Sequence, residues 1–350
     1  MIFDKIEIII LLKDWYIKKY FPFLISSVVI KIIALHCNIK TIYMNNKIFS
    51  ALIFTCFILL LGCGNNPTSG GNAITLKFNL TKGSKYNYNI QMNMHVSESV
   101  MGNNVNVENK MGMGYTFEVI NDSAGWKTLT STISRISMDV NAGAQSIKFD
   151  TDSATTDTAG AAGMMSKIFG AMKGGQFSFT MNDKGRVGEV SGMKEMMQRM
   201  MGSINVPNAE MIMQSIGKSF DEANFKQNIE QSFGTYPDKP VKPGDTWTRT
   251  QTIISNGLPI KSENTYTLNS VTGDNANVKV SSKLSAGADS SAAGIKGMDG
   301  TTTGEMSYNI PLGVPTSGKL NMKLNMKVSA QGQEIPVNMD MKMIITGKKF

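Results

Sequence analysis

Lys319-Leu-Asn-Met-Lys-Leu-Asn-Met-Lys-Val328 alternates strictly between polar and apolar residues. Leu320, Met322, Leu324, Met326 and Val328 fall on one side, and Lys319, Asn321, Lys323, Asn325 and Lys327 on the other. Successive side chains of a strand point to opposite faces, so this pattern is that of a half-buried antiparallel strand. An amphipathic helix would repeat its apolar positions every three or four residues. The same alternation returns in Tyr86, Tyr88, Ile90, Met92, Met94 and Val96, which oppose Lys85, Asn87, Asn89, Gln91, Asn93 and His95. It returns again in Val337, Met339, Met341, Met343 and Ile345.

Working outward, turn residues punctuate these runs at Thr81-Lys-Gly83, Asn121-Asp-Ser-Ala-Gly125, Asn182-Asp-Lys-Gly185 and Thr272-Gly-Asp-Asn275. A weak internal repeat sets Tyr115–Ile133 against Tyr266–Leu284 without gaps, each reading strand, polar turn, strand. Glycine-led strand starts precede them, Gly83-Ser-Lys-Tyr86 and Gly244-Asp-Thr-Trp247, and further strand–turn units follow, Phe177–Val190 and Met306–Leu320. Helical signals lie between the halves. Met193–Met201 holds good helix formers, and Pro207–Ser219 has proline at its first turn. Ser219-Phe-Asp-Glu222 reads as a capping box for a helix ending near Gly234. Ile212, Ile216, Phe220, Phe225, Ile229 and Phe233 make an apolar stripe that needs a surface to lie on. Met164–Lys173 reads as a short helix, and Asp150–Gly163 and Ser285–Thr303 as loops of low complexity. The expected fold is mainly β with some α: antiparallel sheets in two related halves, a curved half-barrel being one form of it, around a central helical insert. The boundaries are 74–192 for the first half, 193–235 for the insert and 236–350 for the second half.

The N-terminal stretch has a different character. Met44-Asn-Asn-Lys47 is a positive start, Ile48–Leu61 is an apolar run too short to cross a bilayer, and Leu60-Leu61-Gly62-Cys63 follows. The tetrad resembles a bacterial lipobox. That resemblance implies a signal peptide at 44–62 cut after Gly62, and a diacylglycerol on the sulfur of Cys63. Residues 63–73 form a polar tether. Residues 1–43 precede the signal and read as an upstream extension from a mis-assigned start codon, with an N-terminal membrane helix as the other reading.

Composition narrows the chemistry. The chain has 350 residues, 35 Lys+Arg, 27 Asp+Glu and a formal net charge of +8. With 18% charged and 41% hydrophobic residues it is neither a disordered polyelectrolyte nor a polytopic helical membrane protein. Half of the charge excess belongs to residues 1–62, which weakens any nucleic-acid reading. Lys319, Lys323 and Lys327 then read as a solvated strand face. Removal of the leader takes away Cys37, Cys56 and His36, leaving the acylated Cys63 and a single histidine, His95. Cys–His catalysis and His/Cys zinc sites therefore drop out. No nucleophile elbow, phosphate loop or dinucleotide fingerprint is present, so the chain reads as a non-enzyme without a cofactor.

Methionine is the conspicuous excess, at 26 residues. Thioethers are soft ligands for copper(I), and Met92-Asn-Met94-His95 offers a candidate. A regular strand puts His95 on the face opposite Met92 and Met94, which argues against a shared ion. Core filling explains the methionines best, and a Met-lined concave face closed by helices would suit a carrier of varied apolar ligands. Asp122-Ser-Ala124, Asp152-Ser-Ala154 and Asp157-Thr-Ala159 are similar to an O-glycosylation sequon of Gram-negative envelope proteins.

Leu76-x-Phe-x-Leu80-x-Lys-Gly-x-x-Tyr86, Phe179-x-Met-Asn-x-Lys-Gly185 and Tyr236-Pro-x-x-Pro-Val-Lys-Pro-Gly-Asp-Thr-Trp247, together with the lipobox, resemble a family of uncharacterised Gram-negative envelope lipoproteins. The resemblance implies a membrane-anchored protein of the cell envelope, held by acyl chains on Cys63, and carries over no catalytic residue. The expected function is non-catalytic binding of a lipid or another hydrophobic ligand. The alternative is an accessory scaffold that binds another envelope protein.

Overall fold

The computed structural model describes residues 72–350 apart from 101–102, 144, 154–159, 204–221, 256–257, 288–293 and 331–332. The alternation becomes strand wherever it is clearest. The first half contains β1 (Lys85–Val100), β2 (Asn103–Ser123), β3 (Trp126–Ala142), β4 (Gln145–Asp150), β5 (Gln176–Asn182) and β6 (Val187–Ser191). The second contains β7 (Thr246–Ser255), β8 (Leu258–Thr272), β9 (Asn275–Ala286), β10 (Ile295–Asn309), β11 (Val314–Ala330) and β12 (Gln333–Lys349). Helices α1 (Gly160–Gly170), α2 (Met193–Ser203) and α3 (Glu222–Phe233) are the described helical elements.

All strands join one open, 12-stranded antiparallel sheet in the order β6-β5-β3-β2-β1-β12-β11-β10-β9-β8-β7, with β4 paired to β3 beside this path. The first and last strands therefore lie side by side at its centre, with Tyr86 opposite Lys349 and Glu98 opposite Val337. Its two edge strands, β6 and β7, belong to the middle of the chain, and α3 packs against both. Glu230 on α3 accepts a hydrogen bond at Oε1 from the backbone N–H of Val187 on β6, at 2.8 Å. Gln227 on the same helix donates from Nε2 to the backbone carbonyl of Thr252 on β7. A helix thus partners backbone groups of two edges that would otherwise be open to pairing.

The two glycine-led strand starts are held alike. The N–H of Gly83 donates to the carbonyl of Val119 at 2.8 Å, and Val119 donates back to Ser84 at 3.1 Å. The N–H of Gly244 donates to the carbonyl of Leu268 at 2.8 Å, and Leu268 donates back to Asp245 at 3.0 Å. Val119 and Leu268 thus make the same pair of hydrogen bonds, whereas the gapless sequence repeat sets Leu268 against Phe117. A displacement of two residues keeps every side chain on its own face, so hydropathy cannot detect it.

The low-complexity loop expected over 285–303 is corrected in part: β9 runs to Ala286 and β10 starts at Ile295. Its inward positions after Ile295 and Met298 are Gly300 and Thr302, too small or too polar to extend an apolar face. Similarly, α1 begins at Gly160, inside the other expected loop. Of the insert, Met193–Ser203 is helical as expected, and α3 ends at Phe233 directly before Gly234. The Pro207–Ser219 helix and the Ser219 cap lie outside the described residues.

The core has two parts. An aromatic cluster fills the end of the sheet nearest the helices, where Phe233 of α3 meets Phe78, Tyr88 and Phe117 at ring-centroid distances of 6.0–6.1 Å. The second cluster is built from strand residues alone, including Met94, Val96, Leu284, Leu324, Met339 and Met341.

Candidate functional site

The inner face of the sheet divides along the strand direction into an aromatic floor and a methionine-lined section. The floor is tied together by buried phenols. Tyr86 donates to the carbonyl of Pro315, Tyr236 donates to that of Gly313 at 2.5 Å, and the Tyr308 hydroxyl lies 3.0 Å from Thr235 Oγ1. Burial pushes the Tyr308 phenol up to about 12 and raises Tyr86, Tyr88 and Tyr236 as well, so all four stay neutral hydrogen-bonding groups.

Beyond the floor, strand register lines methionines up across neighbouring strands. One row reads Leu320, Met343, Met92, Met111 and Met138 from β11 to β3. The next reads Asn264, Ser282, Thr302, Met322, Met341, Met94, Asn109 and Val140 from β8 to β3. A third carries Leu284, Gly300, Leu324, Met339, Val96 and Val107. Directly opposed strand residues have Cβ atoms roughly 4.5–5.5 Å apart, so these side chains form one continuous apolar surface. Met92, Met298, Met322, Met326 and Met343 remain half-buried on it.

Polar groups interrupt this surface in few places. Ser262 donates to Oδ1 of Asn264 at 2.9 Å, and both are buried. Asn109 is only 2% exposed, and its Oδ1 has no hydrogen-bond partner. Glu98 faces the same side, between Val337 and Val105, and burial raises its carboxyl above the usual range. Sequence reasoning missed Asn109, Asn264 and Glu98. The inward placement of Asn264 and Asn109 breaks the alternation instead of signalling it.

His95 lies on the outer face as expected, with Nδ1 2.6 Å from Glu108 Oε1 and away from Met92 and Met94. Lys319, Lys323 and Lys327 are exposed there too. Among the described residues no group of His, Cys, Asp and Glu is placed to hold a metal ion. No described helix is long and apolar enough to cross a membrane. Gly62 and Cys63 lie outside the described residues. Of the sequon matches, Asp122-Ser-Ala124 runs exposed from the end of β2 into the β2–β3 turn and Ser153 is exposed, whereas 154 and 157–159 lie outside.

A polar cavity of about 680 Å³ opens beside α3, lined by Lys184, Arg186, Glu230, Asp238 and Arg249 among others. Two pairs hold most of its charge: Arg249 grips Asp238 through two contacts of 2.9 and 3.0 Å, and Arg186 lies 3.9 Å from Glu230. The Arg249 guanidinium holds the Asp238 carboxyl below its ordinary range. This cavity reads as the polar seam where the insert meets the sheet edges.

No curated protein matches the chain. Among solved structures, lipovitellin, described for its lipid–protein interactions, is similar at 10% identity and a TM-score of 0.43, over 77% of this chain and 25% of that one. The chain thus spans 25% of lipovitellin's length. The COG4313 outer membrane channel from Pseudomonas putida F1 matches at 7% identity and a TM-score of 0.22, over 81% of this chain and 100% of that one. The translocator domain of the autotransporter NalP from Neisseria meningitidis matches at 8% identity and a TM-score of 0.20, over 76% of this chain and 89% of that one. The model of a family of unknown function, DUF6263, matches residues 124–316, more than half of the sequence, and the chain belongs to that family.

Proposed function

We propose that this protein is a cell-envelope lipoprotein of Gram-negative type, tethered by acyl chains on Cys63, that binds a lipid or another apolar ligand without catalysing a reaction. The observation that carries the reading is the methionine-lined inner face, a continuous apolar surface of long, flexible side chains with five of them half-buried. Unbranched thioethers re-pack around ligands of varied shape, which suits a carrier better than a site of fixed geometry. The packing of both edge strands on α3 supports a sheet curled into a trough. The matching hydrogen bonds at Gly83 and Gly244 support two related halves, 74–192 and 236–350, around the insert at 193–235. Two acyl chains on Cys63 would anchor stably where a single one is marginal, and residues 63–73 would let the trough move relative to the membrane.

Native mass spectrometry of residues 64–350, purified from an envelope extract, tests the binding role. Co-purifying lipid or another apolar molecule is the expected result, and a clean apo mass counts against it. Cys63→Ser tests the anchor separately: the variant should leave the membrane fraction, and its retention there would overturn acylation as the tether.

A further inference from the structure

Asn109 is the one inward-facing side chain in the methionine rows whose oxygen is both buried and unpartnered. The register sets it between Met94 and Val140 on neighbouring strands. Along its own strand Met111 and Val107 flank it on the same face, and across from these stand Met92 and Val96. Apolar rows therefore lie on both sides of it along the strand direction.

Nothing nearby satisfies its oxygen. Asn264, in the same row, accepts from Ser262, so the fold pairs one inward asparagine and leaves the other. Glu98 lies four residues beyond Met94 on β1, about 13 Å away at ~3.3 Å per residue, out of reach. A buried amide oxygen without a donor is unfavourable, and proteins seldom retain one.

We propose that the ligand of this face is an apolar chain carrying a hydroxyl between two hydrocarbon stretches, and that this hydroxyl donates to Oδ1 of Asn109. This deepens the carrier reading and rests on it. A plain hydrocarbon chain would cover the methionines and leave the oxygen unpaired. A terminal headgroup would have to bury itself between apolar rows to reach it. A hydroxyl within the chain meets the oxygen while hydrocarbon lies against the rows on either side.

The test uses the chain from Gly64 onward, which contains every described residue, loaded with the fluorescent apolar probe N-phenyl-1-naphthylamine. The probe is displaced with octadecanoate or with 12-hydroxyoctadecanoate, which differ only in the hydroxyl. The hydroxylated acid should displace it at about tenfold lower concentration, the worth of one hydrogen bond to a buried partner. In Asn109→Leu, of similar volume and without the oxygen, that preference should vanish while octadecanoate binds at least as well. Equal displacement by the two acids in the unaltered protein, or a preference that survives in Asn109→Leu, overturns the inference and leaves the carrier reading standing. Failure of both acids and of the probe to bind overturns both.

Discussion

Gly313 and Gly185 stand at the tips of the β10–β11 and β5–β6 hairpins, each with a positive φ, +65° and +75°. A Cβ on Gly313 would come 1.6 Å from the carbonyl oxygen of Lys77, and one on Gly185 2.2 Å from that of Phe233. Gly83 also has a positive φ, +81°, and faces open space. The comparison separates backbone conformation from close approach. Gly83→Ala should cost only the left-handed penalty, about 1–2 kcal/mol. Gly313→Ala adds a clash that must move a crossing chain, for roughly 2–5 kcal/mol in all. Equal shifts in urea midpoints for the two variants would show that the crossing segment yields freely. Glu98 makes a pH prediction. Its folded pKa is raised by burial, so the folded chain holds the proton more tightly than the unfolded one. Stability attributable to Glu98 is therefore intact below its unfolded value of about 4.3 and falls as pH rises through the folded value. Glu98→Gln should unfold like the parent near pH 3.5 and at higher denaturant at pH 8. A difference that is the same at both pH values would remove the carboxyl from the explanation.

Helix α3 does more than cover apolar surface, because its polar side chains finish the two sheet edges. Removing the Glu230 carboxyl leaves the Val187 N–H, part-buried on β6, without its acceptor. Glu230→Ala should cost about 1–3 kcal/mol and speed amide exchange at Val187, while Glu230→Gln keeps an acceptor and most of the stability. Exchange at Val187 that is indifferent to both changes would mean that the helix merely lies over the edge. The Phe225–Ile229–Phe233 stripe and the terminating Gly234 made this helix readable from sequence. Its partners were not readable, since two edges from opposite halves come together only after the sheet has formed. Strands β8 and β10 were less visible for a local reason. They turn Ser262, Asn264, Gly300 and Thr302 inward, so their buried faces lack the hydrophobic contrast on which strand recognition depends.

Chain connectivity explains why the methionine surface was legible in pieces and not as a site. The rows of β1, β11 and β12 each show their apolar face plainly, but Met92 meets Met343 only because the first strand pairs with the last. Local pattern carries no information about that pairing, and the loop it closes spans nearly the whole described chain. The β1–β12 ladder is therefore the contact with the greatest entropic cost and the one that joins the two meanders into a single sheet. Cutting the chain after Ala330 removes β12 from the middle of the sheet, taking the ladder partners of both β1 and β11 and the Val337, Met339, Met341 and Ile345 side chains from the core. That loss exceeds the roughly 5–15 kcal/mol by which a domain is usually stable. The truncated chain should show no cooperative unfolding transition and no near-ultraviolet circular dichroism from its buried tyrosines. If the first half instead folded on its own, a smaller cooperative transition would survive the cut, and the aromatic floor built around Tyr88, Phe117 and Phe233 would have to be stable without the central pairing.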